Sequence, residues 1–326
     1  MRAAVHRTIF SILSICAAII PSASPSHAAA WPERTVRVIV PVSAGSGIDV
    51  AARLFAERLA ERWKQPVVVE NRVGADGLIG TMAFVGAHDD HVLMFSFAAW
   101  LTVYPAVQEK LSYDPDRDIV PIAAATNTFI AVVASLRSEI GSLRDLMERG
   151  RAQPGKLNYN AAAGELPYWF TGFLKGAGLD LVLVTYRDLN LAYQDLAEGR
   201  IDIQMTTLSP ILPLWQAGKV RVLAVTNTAR ARVAPRVPTA REAGYPDLAL
   251  EGLAGFFGPG DMPAERRDRI AADIRAAAAD PALAERLIAT GQIARAGTPE
   301  EFAAELRERR ARMAAMVKLV GAKPVQ

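Results

Sequence analysis

The stretch VRVIVPVSAGSGIDVAARLFAERLAERW (36–63) decides the fold class. Its opening VRVIVPV (36–42) is a β-branched, mostly apolar run of strand length. Over 48–63 apolar residues recur every three to four positions, the period of an amphipathic helix. Between the two lies PVSAGSGID (41–49), a loop of small residues. Glycine lets a backbone approach a ligand closely, and the N–H groups at a helix start attract an anion. A plain strand-to-helix turn capped by Asp49 fits the same letters.

Outward from this unit the alternation continues, the pattern of parallel βαβ units in an α/β fold. PVVVEN (66–71) predicts the next strand, followed by a Gly-rich turn and a helix over 79–85. VLMFSF (92–97) predicts a third strand, and IVPIAAAT (119–126) and FIAVVAS (129–135) read as strands on either side of a change of lobe. A second series follows: SLRDLMERGR as helix, KLNYN as strand, YWFTGFLKGAG as helix and LVLVTY as strand, continuing through LAYQDLAEGR, IDIQMTT, ILPLWQAG and VRVLAVT. The proline-rich, charged segment 229–247 reads as an exposed connection, and FFGPGDMP leads into three C-terminal helices near 263–279, 281–290 and 298–318. Thr298 with Glu301 has the capping-box spacing. The expected organisation is a signal segment over 1–30, one lobe from 31–128 and 227–326, and a second lobe from 129–226.

Residues 1–30 read as a cleaved export signal: Arg2 and Arg7, then a mostly apolar run over 9–20, then Ala28, Ala29 and Ala30. That run is too short for a lasting membrane anchor, which needs roughly 20 apolar residues. Acylation at Cys16 is disfavoured by Ile15, where a small residue is expected. Cleavage removes the only cysteine, and of 37 Lys+Arg and 34 Asp+Glu it leaves 35 against 34. Nothing there calls for nucleic acid. The expected location is the periplasm.

The motifs for catalysis are weak. Gly45-x-Gly47 with Glu70 approaches a dinucleotide fingerprint, but Val50 stands at the third glycine position and a proline ends the strand. There is no Gly-Lys-Ser/Thr and no Gly-x-Ser-x-Gly. His88 and His91 lie in HDDH, which reads as a solvated turn rather than a metal site. No cofactor and no metal is expected. NYNAAAGELP (158–167) is a second small-residue loop entering a helix, and it could face the first loop across a cleft. Arg307, Arg309, Arg310 and Arg312, interleaved with Glu305 and Glu308, read as a solvated helix face.

The segments WPERTVRVIVPVSAGSGID, QPVVVENRVGADGLIGT, LSYDPDRDIVPIA, QPGKLNY, AYQDLAEGRIDI, LPLWQAGKVRVLAVTNTAR, VPTAREAGYPDL and GTPEEFAAEL run in one order over 31–306. In this the chain resembles the Bug-type extracytoplasmic receptors, the solute-binding components of tripartite tricarboxylate transporters. The resemblance implies a periplasmic-binding-protein type II fold, two α/β lobes closing as a Venus flytrap on a small carboxylate or amino acid. It also implies delivery of the ligand to membrane permease subunits; a monomer is expected. The family's Pro-Phe-x-x-Gly-Gly-x-x-Asp loop is similar to Pro41, Val42, Gly45, Ser46 and Asp49, with Ser43, Ala44 and Gly47 between them. The family's strand-end serines fall near Ser96, Phe97 and Ala98. Its second-lobe loop is replaced by Ala162, Ala163, Gly164, Glu165, Leu166 and Pro167, which removes hydroxyl donors. Tyr186, Thr206 and Thr207 are similar in place to cleft residues. Glu165 is expected to face an amino group, favouring a zwitterion. Two other readings stay open: an exported isomerase or lyase using Glu165 or Asp49, and a sensor feeding a signalling partner.

Overall fold

The computed structural model describes residues 31–322, apart from Glu109, Arg187 and the side chain of Asp76. The segment read as an export signal, 1–30, lies outside the described residues. In chain order the strands are β1 (Val36–Val40), β2 (Val67–Asn71), β3 (Val92–Phe97), β4 (Ile119–Thr128), β5 (Ile130–Ser135), β6 (Asn158–Ala161), β7 (Val182–Leu183), β8 (Ile203–Thr207), β9 (Val220–Val225), β10 (Gly252–Pro259) and β11 (Gln292–Ala294). The helices are α1 (Gly47–Trp63), α2 (Leu78–Val85), α3 (Ala99–Thr102), α4 (Tyr104–Val107), α5 (Leu143–Ala152), α6 (Leu166–Gly176), α7 (Leu189–Glu198), α8 (Leu212–Gln216), α9 (Ala264–Ala278), α10 (Pro281–Ala289) and α11 (Pro299–Val320).

Two mixed sheets, each flanked by helices, make two lobes. The first has the order β11-β4-β10-β3-β1-β2, the second β7-β6-β8-β5-β9. β1 is parallel to β2 and β3, and β6 is parallel to β7 and β8; β10, β4, β11, β5 and β9 enter antiparallel pairs. The chain changes sheet between Thr128 and Ile130 and returns between Val225 and Gly252.

The position of β3 explains why Val92–Phe95 is an unbroken apolar run. Leu93 and Phe95 join a core with α1, α9 and α10, while Val92 and Met94 face the opposite core with α2, α3 and α11. A strand covered on both faces loses the alternation of a half-exposed one. The central strand β10 is missing from the sequence expectation because GLAGFFGP is glycine-rich. Gly255 is required: a Cβ there would strike the Ala123 carbonyl and the Phe302 ring. Phe302, on α11, thereby packs onto the sheet and meets Phe257 at 5.2 Å between ring centroids.

Several expectations are corrected. The segment 229–247 is not a bare connection: Ala231, Ala234 and Val237 are buried with Phe129, Ala131 and Val133 of the second lobe. LVLVTY contributes only the two-residue, exposed edge strand β7. In HDDH, His91 is buried, accepts the Glu33 N–H at 3.2 Å and packs on Trp31 at 5.5 Å. Its partner Asp90 binds Arg266 at 2.6 Å, so the turn anchors the start of the described chain. Of the α11 arginines read as a solvated face, Arg307 is exposed, but Arg309, Arg310 and Arg312 make tertiary contacts. Arg310 donates to the Leu101 carbonyl at 2.7 Å, and Arg312 lies 4.8 Å over the Trp169 ring. α11 thus touches both lobes: α3, α4 and β4 of the first and α6 of the second.

Phe302→Ala removes the ring that seats this helix on the sheet. Its unfolding free energy should fall by about 3–5 kcal/mol in urea titration, the range for a buried phenylalanine. A loss under about 1 kcal/mol would contradict the packing described.

Candidate functional site

The C-terminal ends of β1, β2 and β3 in one lobe, and of β6, β7 and β8 in the other, open on one cleft of about 790 Å³. This edge of a parallel sheet is where strands hand over to helix N-termini, and ligands of open α/β sheets bind there. Each of these strands sends its following turn to the lining: Ser43–Ile48 before α1, Gly74 and Gly77 before α2, Ala98 and Ala99 before α3, Ala162–Leu166 before α6, Asp188–Asn190 before α7, and Ser209 before α8. The volume lies within the roughly 300–1,000 Å³ of small-molecule sites.

In the first loop Ser46 is the N-cap of α1, accepting the Asp49 N–H at 3.4 Å, and Asp49 reaches back to the Gly45 N–H at 2.8 Å. The cap is therefore Ser46 and not Asp49. Ser46 N–H bonds the Ser43 carbonyl at 3.3 Å. The N–H groups of Ala44, Gly47 and Ile48 have no acceptor among the described contacts, and all three residues line the cleft. Gly45 sits at φ +80°, a left-handed conformation that glycine takes without strain.

Asp49 does not line the cleft. It is 2% exposed, held by Arg53 at 3.0 Å and Asn71 at 2.9 Å. Burial opposes its ionisation, but the bonds from Arg53, Gly45 and Asn71 outweigh that and hold the carboxyl below its ordinary range. Its role is to fix the loop's shape.

The second loop contributes Ala162, Ala163, Gly164, Glu165 and Leu166 to the lining. The Ala162 N–H is taken by the Met205 carbonyl at 2.9 Å, leaving those of Ala163, Gly164, Glu165 and Leu166 without an acceptor among the described contacts. Pro167, which has no N–H, stands in the first turn of α6. Glu165 is 7% exposed, and its carboxylate is saturated. It accepts Arg309 Nε at 2.9 and 2.8 Å, Arg309 Nη2 at 2.6 Å and the Thr102 hydroxyl. The expected free acid for a ligand ammonium is therefore corrected to one half of a buried ion pair. Arg309, from α11, is the only cation among the described residues lining the cleft. Sequence reading missed it, because its partner is 144 residues away.

Ser96 is fully buried behind the wall, where it accepts the Trp100 indole N–H. It thus positions Trp100, whose ring packs against Gly77 and lines the cleft. Ala98 lines the cleft, but its N–H bonds the Leu253 carbonyl at 3.0 Å. Tyr186 is not on the lining: its hydroxyl donates to Asp195, and burial together with that carboxylate pushes its pKa up to about 12. Thr206 and Thr207 do line the cleft, Thr206 with its hydroxyl 3.2 Å from that of Tyr193. Tyr193, Asn190, Ser209, Thr128 and Gly252 are lining residues that carried no signal in the sequence.

The model for the tripartite tricarboxylate transporter family receptor matches residues 51–321. The chain belongs to that receptor family. Its relatives include a UPF0065 protein of Bordetella bronchiseptica, 31% identical over 98% of this chain and 94% of that one. Among solved structures the receptor is similar to Rpa4515 of R. palustris with adipate: TM-score 0.82, 26% identity, 90% of this chain and 100% of the other. It is also similar to MatC of Rhodopseudomonas palustris with bound malate, with TM-score 0.76, 26% identity and coverage of 88% and 100%.

The Asp49 geometry sets a pH dependence. A depressed carboxyl pKa adds stability above its ordinary value of 3.8, lost as pH falls through the lower folded value. The receptor should exceed Asp49→Asn by about 2 kcal/mol at neutral pH, as for hydrogen bonds to a charged group. The gap, read by urea unfolding, should close below about pH 3.8. A gap independent of pH would contradict the assignment.

Proposed function

We propose that this receptor works in the periplasm, closes on one small carboxylate and passes it unchanged to a membrane permease. The observation that carries the reading is the pair of loops on opposite lobes. Ala44, Gly47 and Ile48 on one side, and Ala163 to Leu166 on the other, hold uncommitted N–H groups at helix starts lining one cleft. Such groups favour an anion without a cationic side chain. Arg309, the one lining cation among the described residues, is already neutralised by Glu165, so the loops carry the attraction. A carboxylate touching both sets favours the closed form by its differential affinity for that form.

The bound adipate and malate of Rpa4515 and MatC support the carboxylate class. The saturation of Glu165 weighs against a zwitterion. It also weighs against an isomerase or lyase, since Glu165 and the inward-turned Asp49 were the candidate bases. The family's transporter description favours a permease over a sensor as partner. The protein acts as a monomer, hinged at Thr128–Ile130 and at the return to Gly252.

Ligand-free protein, prepared by unfolding and refolding, tests this in a thermal-shift panel of mono- and dicarboxylates and amino acids. A ligand at about 1,000 times its Kd adds roughly 4 kcal/mol, enough for a shift of several degrees. One carboxylate class should give that shift and be recovered intact by chromatography. Conversion of the compound, or a shift with amino acids alone, would overturn the reading.

A further inference from the structure

Thr128 ends β4 at the point where the chain leaves the first sheet, and it lines the floor of the cleft. The crossing strands contribute Thr128, Ile130, Gly252 and Leu253 to that floor, and Thr128 alone carries a polar side chain. It is 3% exposed, and its Oγ1 has no hydrogen-bond partner among the described residues. Buried hydroxyls are ordinarily paired, so a persistent orphan on a cleft wall points to a partner that arrives with the ligand.

Two neighbours build the position. Gly252 lies opposite Thr128 on β10, where a Cβ would come within 2.9 Å of both the Thr128 Cβ and its carbonyl oxygen. Glycine therefore leaves the threonine its room. On the other side Gln292 of β11 is in register with Thr128, which sets the two side chains beside each other on one sheet face. The Gln292 amide donates to the Gly47 carbonyl at 2.8 Å and to Thr290 Oγ1 at 3.1 Å. Those bonds orient it, so its unpartnered atom is the acceptor Oε1. Gln292 is itself buried off the lining, so what the floor offers is the Thr128 hydroxyl, which both donates and accepts. A carboxylate oxygen can only accept from that hydroxyl, whereas an alcohol group can both accept from it and donate to it.

We infer that Thr128 reads a hydroxyl substituent on the body of the bound carboxylate, so the receptor selects a hydroxylated acid over its unsubstituted counterpart. This rests on the carboxylate-receptor reading above: the loops hold the carboxylate, and Thr128 sets which carboxylate is kept. A site built to bond a substrate hydroxyl discriminates against the analogue that lacks it, because its own polar groups are then left unpaired.

The test is isothermal titration of ligand-free wild type, Thr128→Val and Thr128→Ser with matched C4 to C6 dicarboxylates, each with and without one hydroxyl. Wild type should prefer the hydroxylated member of its best pair by at least about tenfold, one net buried hydrogen bond. Valine, of the same shape, should bring the ratio to near unity, and serine should restore it, whatever the absolute affinities. Carboxylate binding without such a preference, or a preference that survives in Thr128→Val, would overturn this inference and leave the receptor reading standing. Wild type that binds no carboxylate at all would overturn both.

Discussion

An α-helix leaves its first N–H groups without intrahelical partners, and a parallel strand that precedes it delivers those groups to the strand's C-terminal edge. Here β1, β2 and β3 bring three such edges from one lobe, and β6, β7 and β8 bring three from the other. Everything at the cleft depends on that shared direction. The antiparallel strands β4, β10 and β5 carry the chain between the lobes and form the floor between the two edges. The sheets therefore present helix N-termini at their parallel edges and side chains at their crossing.

In the proposed mode of binding, charge is arranged so that backbone dipoles decide what binds. Arg309 would be the natural carboxylate ligand, yet Glu165, the Glu251 carbonyl and the ring of contacts around α11 hold it in place. A buried ion pair of this kind adds little net stability over apolar packing, but breaking one side costs about 3–5 kcal/mol. Its effect is positional. Glu165 heads α6 in the second lobe, Thr102 belongs to α3 in the first, and Arg309 comes from α11, which packs against both. The pair ties the back of the cleft together while leaving the small-residue loops as its walls.

Much of the architecture was legible because it rests on local periodicity. The strand-loop-helix unit at 36–63, the doubly buried β3 and the three C-terminal helices follow from spacing alone. β10 was not legible, since Gly252, Gly255 and Gly258 mask a central strand whose glycines serve close packing. The two small-residue loops were found from composition. The roles of individual side chains within them were not: Asp49 turns inward because Arg53 and Asn71 wait there, and Glu165 is claimed by a residue far along the chain. Ser96 and Tyr186 stand near the cleft in sequence order yet bond behind it. Thr128 gave no sign, because its meaning comes from neighbours on β10 and β11.

Amide-resolved NMR titration with a binding carboxylate tests most directly whether backbone amides of both lobes hold one anion together. The amides of Ala44, Gly47 and Ile48 and those of Ala163, Gly164, Glu165 and Leu166 should shift in concert, with a single Kd and larger changes than elsewhere. Shifts confined to one lobe, or centred on the Arg309 guanidinium with the loop amides unmoved, would contradict it.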